Sequence, residues 1–163
     1  MRARLRRRLL YLWTFEAFNG LVWFPLIYVY VGRWGRLGWV SLAAQVVVSV
    51  MLVIGAAYWF LKWRAVRRGE RLGGPRVRQV FHAAKWLYRA LLVLLAALLA
   101  VRVAQGGASA AEMIVGGLLS LLAALEYVNY FHWQLSYDTP REIRYVLLHR
   151  RLKRATMVRD LHI

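Results

Sequence analysis

Residues 38–61 read GWVSLAAQVVVSVMLVIGAAYWFL, an apolar run free of charged side chains. As a helix rising 1.5 Å per residue it covers ~36 Å, more than the ~30 Å of hydrocarbon in a bilayer. Three further stretches, at about 9–31, 80–103 and 112–133, have the same character. The chain therefore reads as all-α, an integral membrane four-helix bundle in one domain spanning 1–163, with a tail over 134–163.

Composition points the same way. Hydrophobic residues make up 61% of the chain, which leaves little polar surface for a soluble domain of this size. A net charge of +17 would ordinarily suggest nucleic acid, but the basic residues lie between and beyond the spans. Arg2, Arg4, Arg6, Arg7 and Arg8 precede the first span, and Lys62, Arg64, Arg67, Arg68, Arg71, Arg76 and Arg78 fill the second connection. Arg141, Arg144, Arg150, Arg151, Lys153, Arg154 and Arg159 fill the tail, whereas the first connection holds only Arg33 and Arg36 and the third is flanked only by Arg102. The positive-inside rule then puts both termini and the middle connection in the cytoplasm, in a bacterial-type plasma membrane. Nucleic acid is not an expected partner.

The basic head followed by an apolar run resembles a secretory signal only superficially. The run is too long, carries Glu16 and Asn19, and ends at Tyr28-Val29-Tyr30-Val31 without a small-residue cleavage site, so a retained first helix is expected. Absence of cysteine removes disulfides, thiolate metal sites and cysteine nucleophiles. Short connections bring sequential helices together antiparallel. Ser109-Ala110-Ala111-Glu112 fits a capping box opening the fourth helix. After that helix, Asp138-Thr139-Pro140-Arg141-Glu142 reads as the start of a fifth. Ile143, Val146 and Leu147 would form its apolar face and the tail arginines its basic one. Such an amphipathic cytoplasmic helix would lie on the membrane and take anionic lipid as partner, at ~1 kcal/mol per basic residue.

Ionisable residues inside a span are the natural place to look for function, because each costs about 2.5 kcal/mol or more at the centre of a helix in lipid. Glu16 stands eight residues past Arg8, ~12 Å along the first helix, with Asn19 one turn deeper. Lys85 and Arg89 occupy a comparable stretch of the third helix. On the fourth, Glu126, Asn129, Tyr130 and Gln134 share one face. A buried polar cluster made by the first, third and fourth spans is expected, with Arg89 as counter-charge to Glu16 and Glu126. Against it stands a structural reading, in which the charges only clamp the bundle; a third outcome is that Lys85 snorkels to the interface.

Gly20 and Pro25 interrupt the first helix, and Pro25 frees the Leu21 carbonyl, so a kink is expected there. Gly116, Ser120 and Ala124 recur every four residues on the fourth, a ridge that permits close helix contact within the chain or between subunits. His82 and His132 are the one pair on two helices able to hold a haem, against a plainer place in an interfacial aromatic belt. Metal ligation is not expected, since Glu126 and His132 diverge around the helix, and no cofactor is assigned. No phosphate-binding glycine loop, His-Glu-x-x-His or Gly-x-Ser-x-Gly occurs.

The reading that results is a non-enzymatic small membrane protein with a polar site in the cytoplasmic half of the bilayer, binding or moving an anionic ligand, lipid headgroup or ion. The alternative is an accessory subunit or oligomeric scaffold whose charges are structural. A further one is a lipid-headgroup enzyme, with Glu126 or Glu16 as base, or a haem carrier.

Overall fold

The computed structural model describes residues 2–137, 144, 148–149 and 151–163. Helix α1 (Arg2–Phe18) passes through a π-helical turn (Asn19–Trp23) directly into α2 (Phe24–Trp34). There follow α3 (Trp39–Arg68), α4 (Pro75–Gln105), α5 (Ala110–Phe131) and a short α6 (Thr156–Leu161). Four helical stretches, Ala3–Trp34, Trp39–Arg68, Pro75–Gln105 and Ala110–Phe131, are long and apolar enough to cross a membrane.

These helices outrun the apolar stretches at the arginine-rich end. α3 continues beyond Leu61 to Arg68, because lysine and arginine are good helix formers and hydropathy marks only the part suited to hydrocarbon. Gly69 ends it in the left-handed conformation (φ 73°), with its N–H turned back to Ala65 and Val66. Pro75 then opens α4, where its missing donor is not needed.

The irregularity expected from Pro25 takes the form of the π turn just before it. Phe24 N–H bonds to the Asn19 carbonyl, and this wider turn meets the proline without a helix break. Gly20 within it is buried against α3, where a Cβ would come 2.9 Å from Leu52 Cβ and 3.2 Å from the Ser49 carbonyl. Glycine thus sets how closely the first helix approaches.

α3 is the hub. It packs along α1 and along α5, which do not pack extensively on one another, and α4 leans on α3 and α5. Val48, Met51 and Tyr58 of α3, Tyr88 and Leu95 of α4, and Ala123 and Phe131 of α5 are buried together. A Cβ added at Gly116 of the small-residue ridge would come 3.6 Å from Ser41 Cα, so α5 sits close on α3 at this glycine. Outward faces of the π turn, α2 and α4 expose Leu21, Val29, Leu87 and Val93, a surface suited to lipid.

At the end opposite the arginine clusters, Ser109 caps α5. Its Oγ accepts from Glu112 N–H (3.0 Å) and donates to the Arg36 carbonyl (2.6 Å). Glu112 does not complete the box with its side chain. Its carboxylate sits against Gly38, the N-cap of α3, and pairs with Arg102 Nη2 at 3.2 Å.

At the basic end, the Arg6 guanidinium reaches the Arg67 carbonyl (3.5 Å). The amphipathic helix expected from Thr139 or Pro140 falls mostly outside the described residues; of that segment only Arg144, Leu148 and His149 are described, and they are helical. Residues 151–163 fold back onto the bundle, which the sequence reading did not anticipate. Gln134 N–H bonds to the Lys153 carbonyl (2.8 Å) and Ala155 N–H to the His132 carbonyl (3.0 Å). Met157 and Leu161, four residues apart on α6, are thereby buried in the core.

Candidate functional site

Glu16 is turned toward α3. Trp59 Nε1 donates to its Oε1 at 2.8 Å, so an indole on α3 holds one half of the carboxyl group. The other half occupies a notch left by Gly55, one turn earlier on α3, and Tyr130 of α5 places its hydroxyl in the same notch. Glu16 Oε2 is buried there without a well-aligned donor. A backbone without a side chain on α3 therefore lets polar ends from two flanking helices meet.

Glu126 lies one turn from Tyr130 on α5. Asn129 Nδ2 donates to its Oε2 (3.3 Å), while Asn129 Oδ1 accepts from Leu135 N–H (2.8 Å) and Ser136 N–H (3.3 Å). Asn129 thus joins the carboxylate to the chain reversal after α5. On the first helix, Asn19 Nδ2 bonds to the Phe15 carbonyl (2.7 Å) where the π turn begins.

These groups line one cavity of about 560 Å³ between α1, α3, α5 and α6. Its inner part is apolar, with Phe24, Leu52 and Leu122. Glu16, Asn19, Glu126, Asn129 and Tyr130 form a polar middle, and Gln134 lies nearer the basic end. Arg8, Lys62 and Arg159 stand at that end. Arg8 lies eight residues before Glu16, so basic mouth and acidic interior are offset by ~12 Å along α1.

α6 covers the mouth. Thr156 and Met157 line the cavity, and Asp160 Oδ2 accepts from Tyr58 Oη and pairs with Lys62 Nζ, both at 2.6 Å. Lys62 also lies 5.4 Å from the Trp59 ring centroid. Because Asp160 is partly exposed, its two contacts together should contribute about 1 kcal/mol. Asp160→Ala is expected to speed amide exchange over residues 156–161 about fivefold while leaving α3 unchanged; unchanged exchange in α6 would show that the contact does not hold the cover down.

Lys85 and Arg89 are not brought to the carboxylates. They belong to α4, which contributes nothing to the cavity wall. The Arg89 guanidinium lies 4.9 Å over the Trp86 ring, on an exposed face. Among the described residues, neither Glu16 nor Glu126 makes an ion pair. The histidines are also apart in their contacts: His82 is exposed beside Trp86 (ring centroids 6.4 Å), whereas His132 ends α5 against Tyr127 (5.1 Å). Among the described residues no three histidine, aspartate or glutamate side chains gather as a metal group would require.

The participants missed by sequence reasoning are Gly55, Trp59, Tyr58, Lys62 and Asp160. Gly55 gave a faint signal as a glycine inside an apolar helix, where it lowers helix stability unless something packs against it. The chain is thus all-helical, with four candidate membrane spans and a polar cavity at their basic end. No protein-family model, curated protein or solved structure matches it.

Proposed function

We propose that this chain is a small multi-pass membrane protein, with both termini and the α3–α4 connection cytoplasmic, whose cavity in the inner half of the bilayer binds or moves a cationic species. The arginine-rich segments support the orientation, since they gather at one end of the bundle. One observation carries the functional reading: Glu16 and Glu126 line the same cavity with no cationic side chain paired to either among the described residues. Charge in such a place must be balanced by a bound proton, an inorganic cation or an amine. The two carboxylates in the polar middle favour these over an anionic ligand there, since Arg89 stays outside the cavity and Arg8, Lys62 and Arg159 stand only at its basic end.

Methylammonium is a suitable probe, titrated into the purified protein in nanodiscs and followed by isothermal calorimetry and tryptophan fluorescence. Glu126→Gln is expected to weaken binding about tenfold or more, the equivalent of ~1.4 kcal/mol, and Arg89→Leu to leave it intact. Equal binding in wild type and Glu126→Gln would remove this reading.

The bond from Trp59 to Glu16 favours a second one, in which the carboxyl group pins α1 to α3 and the protein is a scaffold or accessory subunit. In that case Glu16→Gln would lower thermal stability and no cation would bind.

A further inference from the structure

The cavity leaves unused Lys85 and Arg89, which α4 carries in the first half of its apolar stretch. Lys85 and Arg89 are one turn apart, and an unpartnered charge on a face turned to lipid is unfavourable. His82, Trp86, Arg89 and Val93 follow one another at intervals of four, three and four, so they form one stripe along α4. All four are exposed, Trp86 by 53% and Val93 by 66%. The stripe runs from polar at the basic end to apolar toward the interior. Arg89 folds over Trp86, three residues nearer the basic end, so its guanidinium is directed toward the membrane surface.

α5 completes the place. Tyr88 stacks on Tyr127 (6.0 Å), and Tyr127 packs on His132 (5.1 Å), which brings the end of α5 beside the α4 cations. His132 lies just past the α5 span. Its pKa is held below the ordinary histidine value by partial burial, and further by the charges of Lys85 and Arg89. Among the described residues neither Lys85 nor Arg89 makes an ion pair with a carboxylate.

We propose that Lys85, Arg89 and His132 bind the phosphate of an anionic phospholipid in the leaflet at the basic end, with an acyl chain lying along the Val93 side of α4. The chemistry is that of two cations and a ring N–H converging on an oxyanion, Arg89 being pre-oriented by Trp86. A lipid is the occupant because the cations lie inside an apolar stretch, where approach is through the bilayer and the adjoining surface suits a hydrocarbon chain. This site is independent of the cation cavity and does not rest on that reading.

The test is native mass spectrometry of the full chain in detergent with added phosphatidylglycerol or phosphatidylcholine. The wild type is expected to retain phosphatidylglycerol preferentially. The Lys85→Ala/Arg89→Ala pair should lose about tenfold or more in affinity, and Arg89→Lys, which keeps charge but not the planar fork, should fall between the two. Arg64→Ala/Arg67→Ala, at the basic end of α3, should match the wild type. Equal retention by the Lys85→Ala/Arg89→Ala pair would overturn the proposal, as would loss of equal size in the α3 pair. Competition by millimolar inorganic phosphate would overturn it in favour of a soluble anion. Because the chain has no cysteine, Arg89→Cys gives a clean check: spontaneous disulfide-linked dimers in lipid would show that a second copy covers this face, and monomers support the lipid.

Discussion

Replacing Arg102 with leucine is expected to lower the free energy of unfolding by about 3–5 kcal/mol, the range for breaking a buried ion pair from one side. Glu112 is 2% exposed, and Arg102 Nη2 holds its Oε2 at 3.2 Å. Its Oε1 is buried with no partner, so the guanidinium is the main compensation for a charge removed from water. The positive N-terminus of α3, marked by Gly38 against the carboxylate, adds a smaller favourable term. Arg102 also donates to the Gly106 carbonyl at 3.3 Å and thus fixes the turn after α4. Reversible denaturation in mixed micelles would measure the loss. The companion Arg102→Leu/Glu112→Leu should recover most of it, because neither charge is then left buried. A single variant within about 1 kcal/mol of wild type would mean that the carboxylate finds water or a proton instead.

That pair also shows what a sequence can and cannot specify. Ser109 and Glu112 have capping-box spacing, and the Ser109 half forms. The glutamate has a choice between its own helix and a neighbour, and local spacing contains no term for the arginine on α4. Apolar length was enough to locate four helices. It could not locate their ends, since arginines beyond Leu61 and before Val80 continue the helices past the apolar stretches.

Depth along a helix was legible, and so was the face shared by Glu126, Asn129 and Tyr130, because both follow from rise and period alone. Gln134, expected on that same helical face, lies beyond the end of α5 at Phe131 and reaches the cavity from the chain reversal. Azimuth was not legible. Glu16 and Arg89 stand at comparable depth, yet α1 packs along α3 while α4 leans on α3 and α5 and stays out of the cavity. Cyclic order decides whether charges at one depth meet, and connections of this length do not dictate it. α6 was obscured for another reason: Met157, Asp160 and Leu161 are three informative residues in a tail dominated by arginine. Their value depends on Tyr58 and Lys62, about a hundred positions earlier.

Gly55 offers the sharpest discrimination, because two physical effects give opposite signs there. In the interior of a helix, alanine is favoured over glycine by about 0.5–1 kcal/mol, so Gly55→Ala would stabilise α3 if packing were indifferent. A Cβ at this position, however, meets Glu16 Oε2 and the Tyr130 hydroxyl. Both are ends of side chains that can retreat, but retreat draws Glu16 from Trp59 and separates the two flanking helices from their common notch. Overpacking of this kind costs about 1–3 kcal/mol, so a net loss is expected despite the better helix former. Methylammonium affinity should fall about tenfold, and tryptophan emission should shift as the Trp59 hydrogen bond is lost. Gly117→Ala is the internal reference, since a Cβ there meets nothing within 4 Å and only the helix-propensity gain remains. If both alanines raise the melting temperature alike, the notch is not a tight contact and the meeting of Glu16 with Tyr130 does not organise the cavity; opposite signs at the two glycines would locate that organisation at residue 55.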